Sequence, residues 1–221
     1  MGWLRLALLI LIARPLARLI TGLDVLHAER LPQTGPAILA ANHASHVDTW
    51  LLLSLFPAGT LARVRPVAAA DYFLANPALS WFSRNVVGIV PVERKRIERG
   101  ADVLAPAKAA LAAGDILVIF PEGTRGADLD HMAVLKPGVA MLASEAPTTP
   151  VIPVWIQGAG RVLPKGTWLA APLTCCVVVG EPLFWTGDRA SFMTALRGAL
   201  EALAAEAPPL RWSDRGTGEQ L

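Results

Sequence analysis

The stretch AILAANHASHVDTWLLLSLF, residues 37–56, decides the fold. Its first five residues, Ala37–Ala41, are apolar without polar alternation, the pattern of a strand buried on both faces. A short polar loop follows, and Ser45–Phe56 then carries its leucines at helical spacing. Ser45 is placed to cap the first turn, and Asp48, three residues on, sits at the positive end of the helix. A strand that runs through a loop into a helix is the repeating unit of an α/β domain.

The same alternation continues in both directions. Strands are predicted at Pro66–Ala69, Gly88–Val92, Ile116–Phe120, Val151–Ile156 and Leu173–Val179. Helices are predicted at Tyr72–Asn85, Arg99–Ala113, Val139–Glu145 and Arg189–Ala205, with Gly- and Pro-containing turns between the elements. The expected architecture is a single α/β domain, a mostly parallel or mixed central sheet flanked by helices. The 221 residues contain no Gly/Ser linker, charge block or repeat, which favours one domain over residues 25–207, with a polar tail at 208–221. Charged residues make up 17% of the chain, against about 25% in an average soluble domain, and 53% of residues are hydrophobic. That balance disfavours disorder and fits contact with a membrane surface. A net charge of +2 does not point to nucleic acid. Cys175 and Cys176 are adjacent in an apolar run, which fits packing in a reduced compartment rather than a disulfide framework or a metal site.

Residues 1–24 form a segment of their own. Leu6–Ala13 is apolar, Arg5, Arg14 and Arg18 flank it, and the first acid is Asp24. A spanning helix needs about 20 apolar residues, and this run is shorter and meets Pro15. No small-residue cleavage site follows, as a signal peptide would require. The expectation is a helix docked at a membrane interface, with a buried core helix as the alternative.

His43 and Asp48 are five residues apart, so within one regular helix they would point about 140° apart. They meet only if His43 lies in the loop before the helix, where a first-turn side chain leans back toward it. An ionised Asp48 would then fix the imidazole tautomer and leave the other nitrogen free to take a proton. His46 is a rival base, expected in the first helical turn. Taken alone, the spacing is a weak signal and more often marks a helix start with no chemistry.

A second cluster lies at DILVIFPEGTRG, residues 115–126. An apolar strand runs into a glycine-bearing turn, the place where α/β folds hold ligands. Gly123 and Gly126 permit close backbone approach, and Arg125 offers a planar fork of donors that suits phosphate. A plain surface turn with a solvated arginine fits this stretch as well. A base with its orienter at one strand end and an anion-binding loop at another together point to an enzyme that acts on a phosphorylated alcohol.

Four blocks in this order resemble the lysophospholipid and glycerol-phosphate acyltransferase family, of the bacterial 1-acylglycerol-3-phosphate acyltransferase type. They are Asn42 to Asp48, Gly88 to Arg94, Phe120 to Arg125 and Val151 to Val154, and Lys136-Pro137-Gly138 also falls where that family has a lysine and a glycine. The resemblance covers about residues 25–185 and implies the glycerolphosphate acyltransferase-like fold. It implies transfer of a fatty acyl group from coenzyme A or acyl carrier protein to a lysophospholipid hydroxyl, with no cofactor and no metal. His43 would be the general base and Asp48 its orienter. Arg94 and Arg125 would bind the acceptor phosphate, and Glu122, Gly123 and Thr124 would shape the acceptor site. It further implies work at the cytoplasmic face of the inner membrane. Two positions depart from the family pattern: Ala68 to Tyr72 lacks the usual Lys-x-Glu, and Glu93 replaces an aspartate. Both bear on the acceptor rather than on the chemistry, so a different lipid or small-alcohol acceptor stays open. So do a non-catalytic lipid-binding protein, which would bind without turnover, and a thioester hydrolase, which would need no alcohol.

The run ERKRIERG, residues 93–100, reads as a solvated face or as an attractor of anionic headgroups. Trp50, Trp81 and Trp155 are expected in the core or an acyl pocket, Trp3 at an interface, and Trp212 in a loosely ordered tail.

Overall fold

A computed structural model of the chain describes residues 2–45, 47–70, 76–93, 102–123, 132–162 and 174–209. Among these described residues, seven strands form one sheet in the order β1-β7-β6-β2-β5-β3-β4. They are β1 (Asp24–Leu26), β2 (Ala37–Ala41), β3 (Val64–Ala69), β4 (Val90–Val92), β5 (Ile116–Ile119), β6 (Val151–Gln157) and β7 (Cys176–Val179). Every pairing is parallel except β6 with β7, so the sheet is mixed. β1 was not foreseen; at three residues it is too short to carry a periodic signal, and it forms by pairing with β7. β7 is shorter than expected, because Thr174 and Cys175 precede the strand and Leu173 lies outside the described residues.

β2 is central, paired on one side with β5 and on the other with β6. Its side chains alternate between two apolar layers: Ala37, Leu39 and Ala41 face one, Ile38 and Ala40 the other. Every residue of β2 is buried, which accounts for its unbroken apolar sequence.

Helices cover both faces. They are α1 (Gly2–Leu8), α2 (Arg14–Thr21), α3 (Val47–Ser54), α4 (Ala58–Leu61), α5 (Pro77–Phe82), α6 (Ala105–Ala112), α7 (Gly138–Glu145), α8 (Ala159–Val162) and α9 (Arg189–Glu206). π-helical turns join α1 to α2 at Leu9–Ala13 and extend α5 at Ser83–Val87. α2, α3 and α8 contribute to the layer that holds Leu39. α6, α7 and α9 build the opposite layer through Leu111, Leu142 and Leu196. The helix expected from Tyr72 is described from Pro77 on, and the one expected from Arg99 begins at Ala105.

The N-terminal segment packs against the fold through one face only. Leu9 and Ala17 are buried, while Leu11, Ile12, Leu16 and Leu19 face outward, Leu19 at 82% exposure. Arg5 also points inward. Its guanidinium donates to the carbonyls of Ala62 (2.9 Å), Val64 (2.7 Å), Val86 (3.2 Å) and Val87 (3.2 Å). Gly88, at φ +77°, leaves the space for it, since a Cβ there would stand 2.7 Å from the guanidinium. No helix among the described residues is long and apolar enough to cross a membrane.

Candidate active site

β2 and β5 are parallel neighbours with Ala40 opposite Ile119, so the loops that leave their C-terminal ends emerge side by side. One loop begins with Asn42 and His43, and the other with Phe120, Pro121 and Glu122. The topology thus joins two motifs that lie far apart in sequence, at the edge where parallel sheets hold ligands.

Asn42 fixes the first loop. Its side-chain amide donates to the Ile156 carbonyl (2.9 Å) and accepts from the Ile156 N–H (2.6 Å). A buried side chain therefore does the work of a peptide group and lengthens the β2–β6 ladder by one rung. His43 comes next, in the loop rather than the helix. Its Nδ1 lies 2.8 Å from Asp48 Oδ2. The same oxygen accepts the backbone N–H groups of Ala44 (2.7 Å) and Ser45 (2.8 Å). Asp48 is fully buried, and its Oδ1 has no hydrogen-bond partner among the described residues. Capping and orienting, posed by the sequence as alternatives, are one arrangement: the carboxylate closes the start of α3 and holds the imidazole.

Two contacts from the second loop complete the setting of His43. The ring stacks on Phe120, with centroids 4.1 Å apart and planes 20° apart. Its backbone N–H donates to Glu122 Oε1 (2.8 Å). Burial pushes the Glu122 carboxyl above the usual carboxylate range, and the N–H groups of His43 and Ala133 pull it back. Gly123 follows at φ +74°, and the Lys136 side chain lies across it; a Cβ at Gly123 would stand 2.6 Å from Lys136 Nζ. The Lys136 N–H donates to the Pro121 carbonyl (2.8 Å), which ties the Lys136-Pro137-Gly138 segment to the same turn.

His43, Asp48, Glu122 and Gly123 are thus brought together. Arg94, Thr124, Arg125, the rival base His46, most of the 93–100 run and Trp212 lie outside the described residues. Asn42 and Phe120 were read in the sequence only as motif letters, and their contacts give them roles. A polar residue directly after a fully buried strand was the available signal for Asn42. Trp81, expected in the core or an acyl pocket, is instead 51% exposed, because α5 turns it away from both layers. Burial, then the charge of Asp48, pushes the Cys175 thiol up to about 12. Burial and the charge of Asp24 put Cys176 at about 11. Neither thiol is a ready nucleophile at neutral pH.

A family model described as Acyltransferase matches residues 22–157. A chloroplastic 1-acyl-sn-glycerol-3-phosphate acyltransferase of Brassica napus, BAT2, is 28% identical over 145 residues, which cover 65% of this chain and 40% of that protein. The 1-acyl-sn-glycerol-3-phosphate acyltransferase alpha of Mus musculus is 30% identical over 134 residues, which cover 59% of this chain and 44% of that one. The chain thus spans less than half the length of these two relatives. Among solved structures, the fold matches that of the 1-acyl-sn-glycerophosphate (LPA) acyltransferase PlsC from Thermotoga maritima. The TM-score is 0.73 at 23% identity, over 92% of this chain and 80% of that one.

Proposed function

Since the chain belongs to the acyltransferase family, we propose that it moves a fatty acyl group from a thioester of coenzyme A or acyl carrier protein to a lysophospholipid hydroxyl. The acceptor we assign is 1-acylglycerol-3-phosphate, and the product is phosphatidic acid. The observation that carries this reading is the 2.8 Å contact between His43 Nδ1 and Asp48 Oδ2, beside the turn that bears Glu122.

With Nδ1–H donated to Asp48, Nε2 is unprotonated and takes the proton of the acceptor hydroxyl. The acceptor oxygen attacks the thioester carbonyl; a C–O bond forms, the C–S bond breaks, and the departing thiolate takes the proton from Nε2. Asp48 stabilises the imidazolium between these transfers. The thioester is already activated, so no covalent enzyme intermediate is required. Glu122, Gly123 and Thr124 shape the acceptor site, while Arg94 and Arg125 bind the phosphate. Residues 1–24 dock the domain, residues 25–207, to the cytoplasmic face of the inner membrane. Three features support docking there: the outward leucines of the N-terminal helix, Arg14 and Arg18 beside them, and two buried cysteines held as thiols and not as a disulfide.

The test is an acceptor panel with labelled acyl-coenzyme A and acyl carrier protein, products read by mass spectrometry. Acyl transfer to the lysophospholipid is expected, with His43→Ala slower by about 10²–10⁴. Free fatty acid formed equally well without any alcohol would overturn the reading, as would a folded His43→Ala chain with full activity.

A further inference from the structure

α5 and the N-terminal helix both expose apolar side chains. Trp81 and Phe82 on α5 are 51% and 39% exposed. The Phe82 ring lies 6.1 Å from that of Trp50 on α3, the helix against which α2 also packs. α1 runs along the Ser83–Val87 turn that continues α5. Arg5 fastens the two, because its guanidinium, reaching from α1, holds the carbonyls of Val86 and Val87.

Within residues 2–23 and 76–92 every charged residue is an arginine: Arg5, Arg14, Arg18 and Arg84. Arg18 and Arg84 are exposed. Contiguous exposed apolar surface marks an interaction site. A helix apolar on opposite sides lies between the protein core and a second apolar phase. Indole rings settle at the boundary between headgroups and acyl chains, and arginines beside them attract anionic lipid.

We propose that Trp81 and Phe82 form a second bilayer contact, beside the outward leucines of the N-terminal helix, and that Arg5 holds the two contacts together as one docking face. The occupant is the surface of an anionic leaflet. The proposal rests on the reading that acceptor and product are bilayer lipids. The face lies on the α3 side of the sheet, and the first turn of α3 carries Asp48.

The test floats the full chain with vesicles of phosphatidylcholine containing phosphatidylglycerol. In parallel, a short-chain, water-soluble lysophosphatidic acid is assayed without vesicles. The paired variant Trp81→Ser/Phe82→Ser is expected to keep turnover of the soluble acceptor and to lose vesicle binding on the order of tenfold. Wild-type fluorescence quenched by brominated lipid, with less quenching in Trp81→Phe, gives a second measure that leaves packing undisturbed. Unaltered vesicle binding by a folded paired variant, or equal quenching in wild type and Trp81→Phe, would overturn the inference. So would a lipid-free dimer that the paired variant abolishes, since a second copy would then be the occupant. Absence of soluble-acceptor turnover in the wild type would count against the functional reading instead.

Discussion

One oxygen of Asp48 accepts three N–H groups, two from the loop backbone and one from the imidazole. An amide oxygen can keep the backbone bonds, but it carries no charge to balance an imidazolium. Asp48→Asn should therefore cost about 10²–10⁴ in kcat, and roughly 1–3 kcal/mol in stability from weakened bonds. Steady-state kinetics and denaturant titration separate the two effects. Glu122 adds a pH dependence. Burial raises its pKa in the folded chain above the unfolded value. Its contribution to stability is then full below the ordinary glutamate range and is lost as pH rises through the higher folded value. Glu122→Gln should flatten the fall in melting temperature just above that range, as melts at stepped pH would reveal. At this scale the sequence was informative where chemistry depends on residue type and close spacing, as for His43 and Asp48. It was silent on Phe120 and Asn42, whose partners, His43 in the loop after β2 and Ile156 on β6, lie far off in sequence.

Arg5 acts on whole elements. It ties α1 to the start of β3 and to the end of the Ser83–Val87 turn, with four carbonyls as its partners. Burial, and then the neighbouring charge of Arg65, lowers its pKa to about 10, so it remains a cation at neutral pH. Arg5→Ala leaves those carbonyls without their donor and should cost roughly 3 kcal/mol. Arg5→Lys should recover only part of that, because an ammonium has three donors and no planar fork; thermal melts of both variants check this. The sequence displayed a positive charge at the edge of an apolar run and nothing of the carbonyls that would receive it. Trp81 was misplaced for a related reason: helical periodicity groups side chains onto faces but does not say which face meets the core.

The strand–helix alternation was sufficient to anticipate a mixed sheet covered on both faces, because strands buried on both sides advertise themselves as unbroken apolar runs. It could not supply β1 or the strand order, which depend on pairings between distant segments. The N-terminal helix is part of this assembly, not an appendage. Leu9 and Ala17 pack in the same layer as Leu51 and Leu52 of α3. Removal of residues 1–21 should therefore yield an aggregating chain instead of a soluble domain, which size-exclusion chromatography would reveal. Asn42 brings a last consequence. Its amide occupies a rung between β2 and β6, so the height of the imidazole above the sheet is set in whole steps of strand registration. A chain that closed with β6 slipped by one step would orphan Ile156 and mislocate the proton acceptor while burying nearly the same surface. Specific activity would then act as a proofreader of refolding, separating true molecules from misthreaded ones that bulk spectroscopy counts as native.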